Sequence, residues 1–147
     1  MRPPRLRGQL APFLILVAFP AMGAAQPVAG GSPSDATSLE QGIYTQEQAR
    51  AGGRDFTTIC TACHGDFDLL SPILSMKWTG RTLRELYERI RNTMPEDRPG
   101  SLSDAQATQL VAYLLSRQGF PPGDRPLEPD VAALAELVIH PPANPQP

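Results

Sequence analysis

The chain has 147 residues, 41% of them hydrophobic, and a formal net charge of −2 at pH 7. This length and composition suit one small globular domain with a modest core. The acidic excess argues against a nucleic-acid partner, because binding to phosphates depends on clustered lysine and arginine.

The first 25 residues have the pattern of a secretory signal peptide. Three arginines precede an apolar run at 10–19, and small residues end the segment before Gln26. A membrane anchor is disfavoured, because the apolar run is about half of the roughly 20 residues that a spanning helix needs. We therefore expect cleavage, a periplasmic location and no membrane span in the mature chain. Cleavage would remove three of the 13 basic residues and leave a formal charge of −5.

The segment that follows the signal is predicted to be a flexible leader, and the first helix comes after it. Residues 26–42 are rich in Pro, Gly, Ser and Thr and show no apolar period. Thr45 and Gln48 have the spacing of a capping box, which predicts the helix start. Gly52 and Gly53 then lie inside the helix, where two glycines cost about 2 kcal/mol in helix propensity. We expect the close approach of another helix to compensate for them.

The first helix leads into residues 60–64, whose sequence is Cys-Thr-Ala-Cys-His. Cys-x-x-Cys-His is the attachment signature of c-type haem: two thiols bond the vinyl groups and the histidine ligates the iron. A redox disulfide would need a βαβ setting that this sequence does not suggest. A structural zinc site needs four ligands, and only the distant His140 could join Cys60, Cys63 and His64. The motif therefore predicts one covalently bound haem c, with no cysteine left over for a structural disulfide.

A second helix is predicted after a loop at residues 65–80. Thr82 and Glu85 form a capping-box pair, and Pro95 restricts the residue before it, so the helix should end near Asn92. The expected buried stripe is Leu83, Leu86, Tyr87 and Ile90, and the side chains expected to face solvent are Arg84, Glu88, Arg89 and Arg91.

A third helix is predicted from Ser103, with Gln106 as its capping partner, to a stop at Gly119. Its expected apolar face is Ala107, Leu110, Val111, Leu114 and Leu115, with Tyr113 beside it. The remaining residues, 121–147, form a Pro-rich tail in which 130–140 could make a short helix. That helix would carry Val131, Leu134, Leu137 and Val138 on one side, and the sequence leaves open whether it docks on the domain.

The second axial ligand of the iron has three candidates: Met76, Met94 and His140. Met94 is the best, because it lies 30 positions after His64, beyond a complete helix, and Pro95 stiffens the adjacent backbone. The alternative for Met94 is an apolar anchor of its loop. Met76 is expected to be a pocket wall and His140 to face solvent. Iron with both axial positions filled by His and Met transfers one electron and does not readily bind oxygen or peroxide.

Taken in order, several motifs resemble those of class I c-type cytochromes over residues 44–119. They are Gly52-x-x-x-Phe56, the haem pentapeptide, a following proline, Met94-Pro95, and Tyr113 in the last helix. The resemblance implies an all-α cytochrome c fold at residues 43–120, with three main helices around one haem. It also implies that the first and last helices cross at the glycine and aromatic positions.

Further site residues follow from this resemblance. Pro72 matches by order the family's proline whose carbonyl orients the haem histidine, here His64. Trp78, Tyr87 and Arg98 are candidates to line the haem or to contact its propionates. The alternative is ordinary packing for Trp78 and Tyr87 and a solvated Arg98.

The predicted function is one-electron transfer by a carrier that is not an enzyme. Residues 86–95 and 98–103 are similar to small bacterial cytochromes that are fused to, or work beside, quinoprotein dehydrogenases. Such a dehydrogenase, or a terminal oxidase, is the redox partner that we expect. Two alternatives remain: a gas-binding or sensory haem protein in which Met94 is labile, and a haem peroxidase, although no distal His/Arg pair is seen around the motif.

Overall fold

The computed structural model describes residues 38–65 and 77–142, so the predicted signal peptide and most of the predicted leader lie outside the described residues. Within these ranges the chain is helical and has no strand, which confirms the all-α prediction. A 3₁₀ turn at Leu39–Gln41 comes first, and a π-helical turn at Phe56–Cys60 continues the first helix. The α-helices are α1, Gln46–Asp55; α2, Leu83–Thr93; α3, Asp104–Gln118; and α4, Val131–Glu136. None of these helices is long and apolar enough to cross a membrane.

The predicted caps of α2 and α3 are present. Thr82 with Glu85 and Ser103 with Gln106 form complete capping boxes. In each box the hydroxyl of the cap residue accepts a hydrogen bond from the backbone N–H of its partner, and the partner's side chain accepts one from the backbone N–H of the cap residue. Gly119, with φ of 97°, ends α3 in the left-handed conformation that favours glycine. Local sequence signals therefore set the bounds of these two helices.

The cap of α1 differs in one respect from the prediction. Thr45 accepts a hydrogen bond from the backbone N–H of Gln48, as expected. The Gln48 side chain does not return to the cap. Its amide nitrogen donates to the carbonyl of Leu127 at 2.8 Å, and its oxygen accepts from the N–H of Leu127 at 2.7 Å. Gln48 thus attaches the C-terminal segment to the start of α1.

Helices α1 and α3 cross at the predicted glycines. A Cβ atom placed on Gly52 would lie 1.8 Å from the carbonyl oxygen of Gln109, so only glycine allows this approach. A Cβ on Gly53 would lie 3.2 Å from the ring of Tyr113, which is also 5.3 Å, centroid to centroid, from the ring of Phe56. The close approach of a second helix explains the two glycines, as expected.

The C-terminal helix is shorter than predicted. It ends at Glu136, because the chain from Leu137 onward is extended and pairs with the backbone just before α2. The N–H of Leu83 donates to the carbonyl of Leu137 at 2.7 Å, and the N–H of Ile139 donates to that of Arg81 at 2.8 Å. These hydrogen bonds hold the end of the described chain on the domain.

The side of the C-terminal segment that faces the core also differs from the prediction. Leu134 and Leu137 are buried as expected, but Val131 and Val138 are 42% and 49% exposed. Ile139 is buried instead of Val138, because side chains alternate between two faces in extended backbone. The segment therefore packs on the domain, which the sequence had left open.

Two groups of buried side chains hold the helices together. The main core includes Tyr44, whose hydroxyl donates to the carbonyl of Phe120. The other members of this main core are Leu39, Ile43, Ala49, Leu83, Leu86, Tyr87, Ala107, Val111, Ala112, Leu115, Phe120, Leu127, Leu134, Leu137 and Ile139. A second group, the cleft cluster, consists of Phe56, Leu102 and Leu110, and it joins the end of α1 to α3.

Candidate haem site

The predicted attachment motif begins in the π-helical turn at the end of α1. The N–H of Thr61 donates to the carbonyl of Phe56 at 3.2 Å, a bond that spans five residues. The N–H groups of Cys63 and His64 both donate to the carbonyl of Cys60, at 3.1 and 2.9 Å. Single π-helical turns inside helices often mark functional sites. Here the turn brings all three motif side chains to one end of α1.

A cleft opens beside this end of α1, with about 770 Å³ of free space including the part that is open to solvent. Cys60, Cys63, His64 and Met94 all contribute to its wall, so the structure brings the four predicted attachment and ligand residues together. The rest of the lining is mainly apolar and comprises Phe56, Ile59, Ile90, Pro95, Glu96, Leu102, Leu110 and Leu114. An apolar wall with a few convergent ligand groups is the usual form of a cofactor site.

Met94 reaches the cleft from the end of α2. Its backbone is extended, with φ of −115° and ψ of 151°, as the following proline requires. Its N–H still donates to the carbonyl of Ile90 at 3.2 Å, so Met94 follows directly from the last turn of the helix. Its side chain packs against the cleft cluster. The ligand role of Met94 stays a prediction, but its position is the one that this role needs.

The two thiols differ in exposure and are not bonded to each other. Cys60 is half-buried and Cys63 is exposed. Burial raises the pKa of the Cys60 thiol, and the negative charge of Asp55 raises it further. A raised pKa disfavours the thiolate, which is the form that attacks a disulfide. The environment of Cys60 therefore argues against thiol–disulfide exchange, and two thiols, an imidazole and a thioether on apolar walls suit a haem c.

Of the other two ligand candidates, only His140 belongs to the described residues, and it does not line the cleft as described. Met76 and Pro72 lie outside the described residues, so their roles stay predictions. His140 is partly exposed, as expected, but its Nε2 lies 3.2 Å from a carboxylate oxygen of Glu40. Its ring meets that of Phe120 edge-on at 5.7 Å. His140 thus holds the C-terminal segment against the residues before α1.

The three aromatic and basic candidates lie outside the cleft wall as described. Trp78 packs against the main core, with the guanidinium of Arg81 at 4.2 Å from its ring, and borders a separate small cavity. Tyr87 is buried and donates its hydroxyl hydrogen bond to Asp104 at 3.1 Å. Arg98 is exposed and lies beside the carboxylate of Asp97, its neighbour in the loop. Trp78 is not part of the cleft wall as described, so its contact with haem stays a prediction.

Some cleft residues were not singled out from the sequence. Leu102, only 4% exposed, belongs to the cleft cluster although it lies in a polar loop. Leu102 directly precedes Ser103, the cap residue of α3. An apolar residue just before a helix cap often packs against that helix, and this signal could have identified Leu102 from the sequence. Leu114 was placed on the apolar face of α3, but its contribution to the cleft depends on how α3 crosses α1.

Comparison with known families agrees with the site. Residues 47–114 match a family model described as "Cytochrome C oxidase, cbb3-type, subunit III". The match runs from the first turn of α1 through most of α3 and includes the attachment motif, Met94 and the cleft cluster. This part of the chain is therefore similar to class I c-type cytochrome domains, a class whose work is haem-based electron transfer. Searches of curated proteins and of solved structures gave no match.

Proposed function

We propose that this chain is a monohaem c-type cytochrome that carries single electrons in the periplasm. A haem bound through Cys60 and Cys63 supplies an iron that takes up and releases one electron. One observation carries the proposal: the attachment motif and Met94, separated by 30 positions in the sequence, line the same apolar cleft. This juxtaposition gives one site with both attachment groups and two ligands.

The residues of the chain have distinct roles in this proposal. His64 and Met94 would both ligate the iron of a bound haem, which would leave no open position for oxygen or peroxide. Apolar walls such as Ile59, Ile90 and Leu110 keep water from the site and lower the local dielectric constant. Cys63 is exposed, so the cleft reaches the surface near the attachment point, where a redox partner can approach. Electron transfer needs no further catalytic group from the protein.

The optical spectrum of the purified holoprotein tests this function. We expect a Met-to-iron charge-transfer band in the oxidised form and no change when carbon monoxide is added to the reduced form. The Met94→Ala variant should lose the band and bind carbon monoxide, whereas the control Met76→Ala should keep the band. An unchanged spectrum in Met94→Ala would refute the ligand assignment. Carbon monoxide binding by the unmodified protein would favour the gas-binding alternative.

The proposed partners are redox proteins outside the cytoplasm. A quinoprotein dehydrogenase is the proposed donor, on the resemblance of residues 86–103 to cytochromes that work with such enzymes. The matched family's description names an oxidase subunit, which supports a terminal oxidase as acceptor. Mass measurement of the native periplasmic protein would test cleavage after residue 25 and the addition of one haem. Isolation of the protein with its partners from the same fraction would identify the donor.

A further inference from the structure

Arg91 makes contacts that the sequence did not predict. It was expected to face solvent, but its side chain is only 28% exposed. Its Nε donates to a carboxylate oxygen of Asp104 at 2.6 Å, and its Nη1 donates to the carbonyl of Gly100 at 3.0 Å. The same carboxylate oxygen accepts the hydroxyl of Tyr87 at 3.1 Å. We call these four residues the loop clamp.

The loop clamp encloses the loop that carries Met94. Arg91 lies in the last turn of α2, three residues before Met94, and Asp104 is the first residue of α3. Gly100 lies in the loop between them, with φ of 75°. The guanidinium therefore connects the helix before the loop, the loop backbone and the helix after it. Besides the clamp, residues 94–103 are held at their two ends by the contacts of Met94 and by the capping box at Ser103. Between these ends, the remaining contacts are two turn hydrogen bonds and the burial of Leu102.

The ion pair between Arg84 and Glu88 on α2 does not connect separate segments of the chain as the loop clamp does. Arg84 and Glu88 lie 2.8 Å apart, but both belong to α2, four positions from each other, and are 47% and 38% exposed. Such a pair within one exposed helix face contributes little. Arg91 is less exposed, although its partner Asp104 is 60% exposed, so the distinction lies in its two nitrogens, which bind two different segments of the chain. Fixed, planar donors of this kind position the groups that they bind.

Electrostatics supports a persistent contact. The hydrogen bond from Arg91, followed by that from Tyr87, holds the pKa of Asp104 below its ordinary value. Asp104 is thus ionised at neutral pH and bonded to a permanent cation. Its place in the first turn of α3 also suits a negative charge, because the N-terminal end of a helix is electropositive. Two favourable interactions therefore keep the carboxylate where Arg91 reaches it.

We propose that Arg91 is a positioning residue for Met94: by tying Gly100 and Asp104 to α2, it keeps the thioether on the iron. This proposal rests on the ligand role of Met94 in the proposed function. Arg91 is not among the residues that line the cleft, so it acts through the loop and not on the haem. Loss of the clamp lets the loop move away while the helices remain, and dissociation of Met94 becomes more frequent.

The test compares carbon monoxide binding by reduced holoproteins, because carbon monoxide binds only when Met94 has left the iron. Arg91→Ala removes charge-assisted hydrogen bonds at a partly exposed site, so we expect the carbon monoxide binding constant to rise about tenfold. Arg91→Lys, which keeps the charge but not the planar fork, should give a smaller rise. Arg84→Ala, which breaks an ion pair on the same helix without touching the loop, should give none. The reduction potential of Arg91→Ala should fall, as a weaker Met ligand requires.

Each outcome separates this proposal from the one on which it rests. If Met94→Ala leaves the spectrum unchanged, the ligand assignment fails and the clamp proposal falls with it. If Met94 is shown to be the ligand but Arg91→Ala binds carbon monoxide no better than Arg84→Ala, only the clamp proposal is overturned. Should Arg91→Ala fail to fold, Asp104→Asn weakens the same contacts at the other end. Faster hydrogen exchange at the N–H groups of Arg98 and Ser101 in Asp104→Asn would support the clamp, and unchanged exchange would refute it.

Discussion

Replacing Gly52 by alanine tests the crossing of α1 and α3, on which the cleft depends. The new Cβ would lie 1.8 Å from the carbonyl oxygen of Gln109 and 2.9 Å from the Cβ of Tyr113, whereas ordinary contacts begin at 3.4 Å. Both obstacles are backbone or close to it, so no flexible side-chain end can turn aside. The two helices must separate by about 1.5 Å if ordinary non-bonded contact distances are to be restored.

The magnitude follows from two opposing terms. Overpacking a well-packed contact costs about 1–3 kcal/mol or more, and a backbone obstacle places this site at the upper end. Alanine regains about 1 kcal/mol of helix propensity. We expect a net loss of about 2 kcal/mol, which corresponds to a fall of roughly 10 °C in Tm for a domain of this size.

The adjacent glycine provides the matched control. A Cβ on Gly53 meets only the ring of Tyr113, at 3.2 Å, and that ring can shift by a few tenths of an ångström. Gly53→Ala gains the same propensity, so its Tm should be near that of the unmodified protein or above it. Thermal unfolding of the holoproteins, followed by circular dichroism at 222 nm, measures both. If Gly52→Ala melts at or above the temperature of Gly53→Ala, the crossing described here is incorrect.

Two further substitutions test the main core. Tyr44→Phe leaves the carbonyl of Phe120 without the hydroxyl donor and should cost about 1–2 kcal/mol in denaturant unfolding. Burial raises the pKa of Tyr44 to about 12, so neutral Tyr44 stabilises the fold below pH 10, and that contribution is lost as pH rises from 10 to about 12. The stability difference between Tyr44→Phe and the parent should therefore shrink over that interval, and a constant difference would contradict the assignment. Leu134→Ala should cost about 2–5 kcal/mol, because Leu134 is buried, whereas the exposed control Val131→Ala should cost under about 1 kcal/mol; equal effects would mean that α4 is not docked.

The parts of the fold that the sequence predicted well are set by neighbours in the chain. The hydroxyls of Thr82 and Ser103 act on N–H groups three residues away, so their sequence spacing is sufficient to predict a helix start. The crossing at Gly52 is a longer-range feature, but its costly glycines and the resemblance to a known family both pointed to it. The end of α2 was predicted because Pro95 constrains the backbone of Met94 directly.

The parts that the sequence did not predict depend on segments far apart in the chain. Gln48 reads as a capping residue from its spacing, but its amide is used by Leu127, 79 positions away. The extended pairing that ends α4 likewise joins Leu137 and Ile139 to backbone at residues 81–83, far earlier in the chain. Arg91 reads as one more surface charge of α2, and only the return of the chain at Asp104 gives it a partner.

For the candidate site, the sequence singled out the four side chains with sulfur or nitrogen donors that line the cleft, but not all of its apolar wall. Cys60, Cys63 and His64 were evident from their pattern, and Met94 from its distance along the chain. The inward position of Leu102 and Leu114 depends on how α3 lies against α1, which no local pattern specifies. Trp78 packs against the main core, as the alternative of ordinary packing allowed, and its contact with haem stays a prediction.

The main core takes side chains from both ends of the described chain, from Leu39 to Ile139. A polypeptide that is delivered amino end first presents Cys60 and Cys63 long before its last core residues arrive. Until Leu134 and Ile139 are available, the main core cannot be completed, and the thiol of Cys60, half-buried in the complete fold, would be less enclosed. The order in which residues emerge would thus provide an interval for the proposed haem attachment before the main core closes.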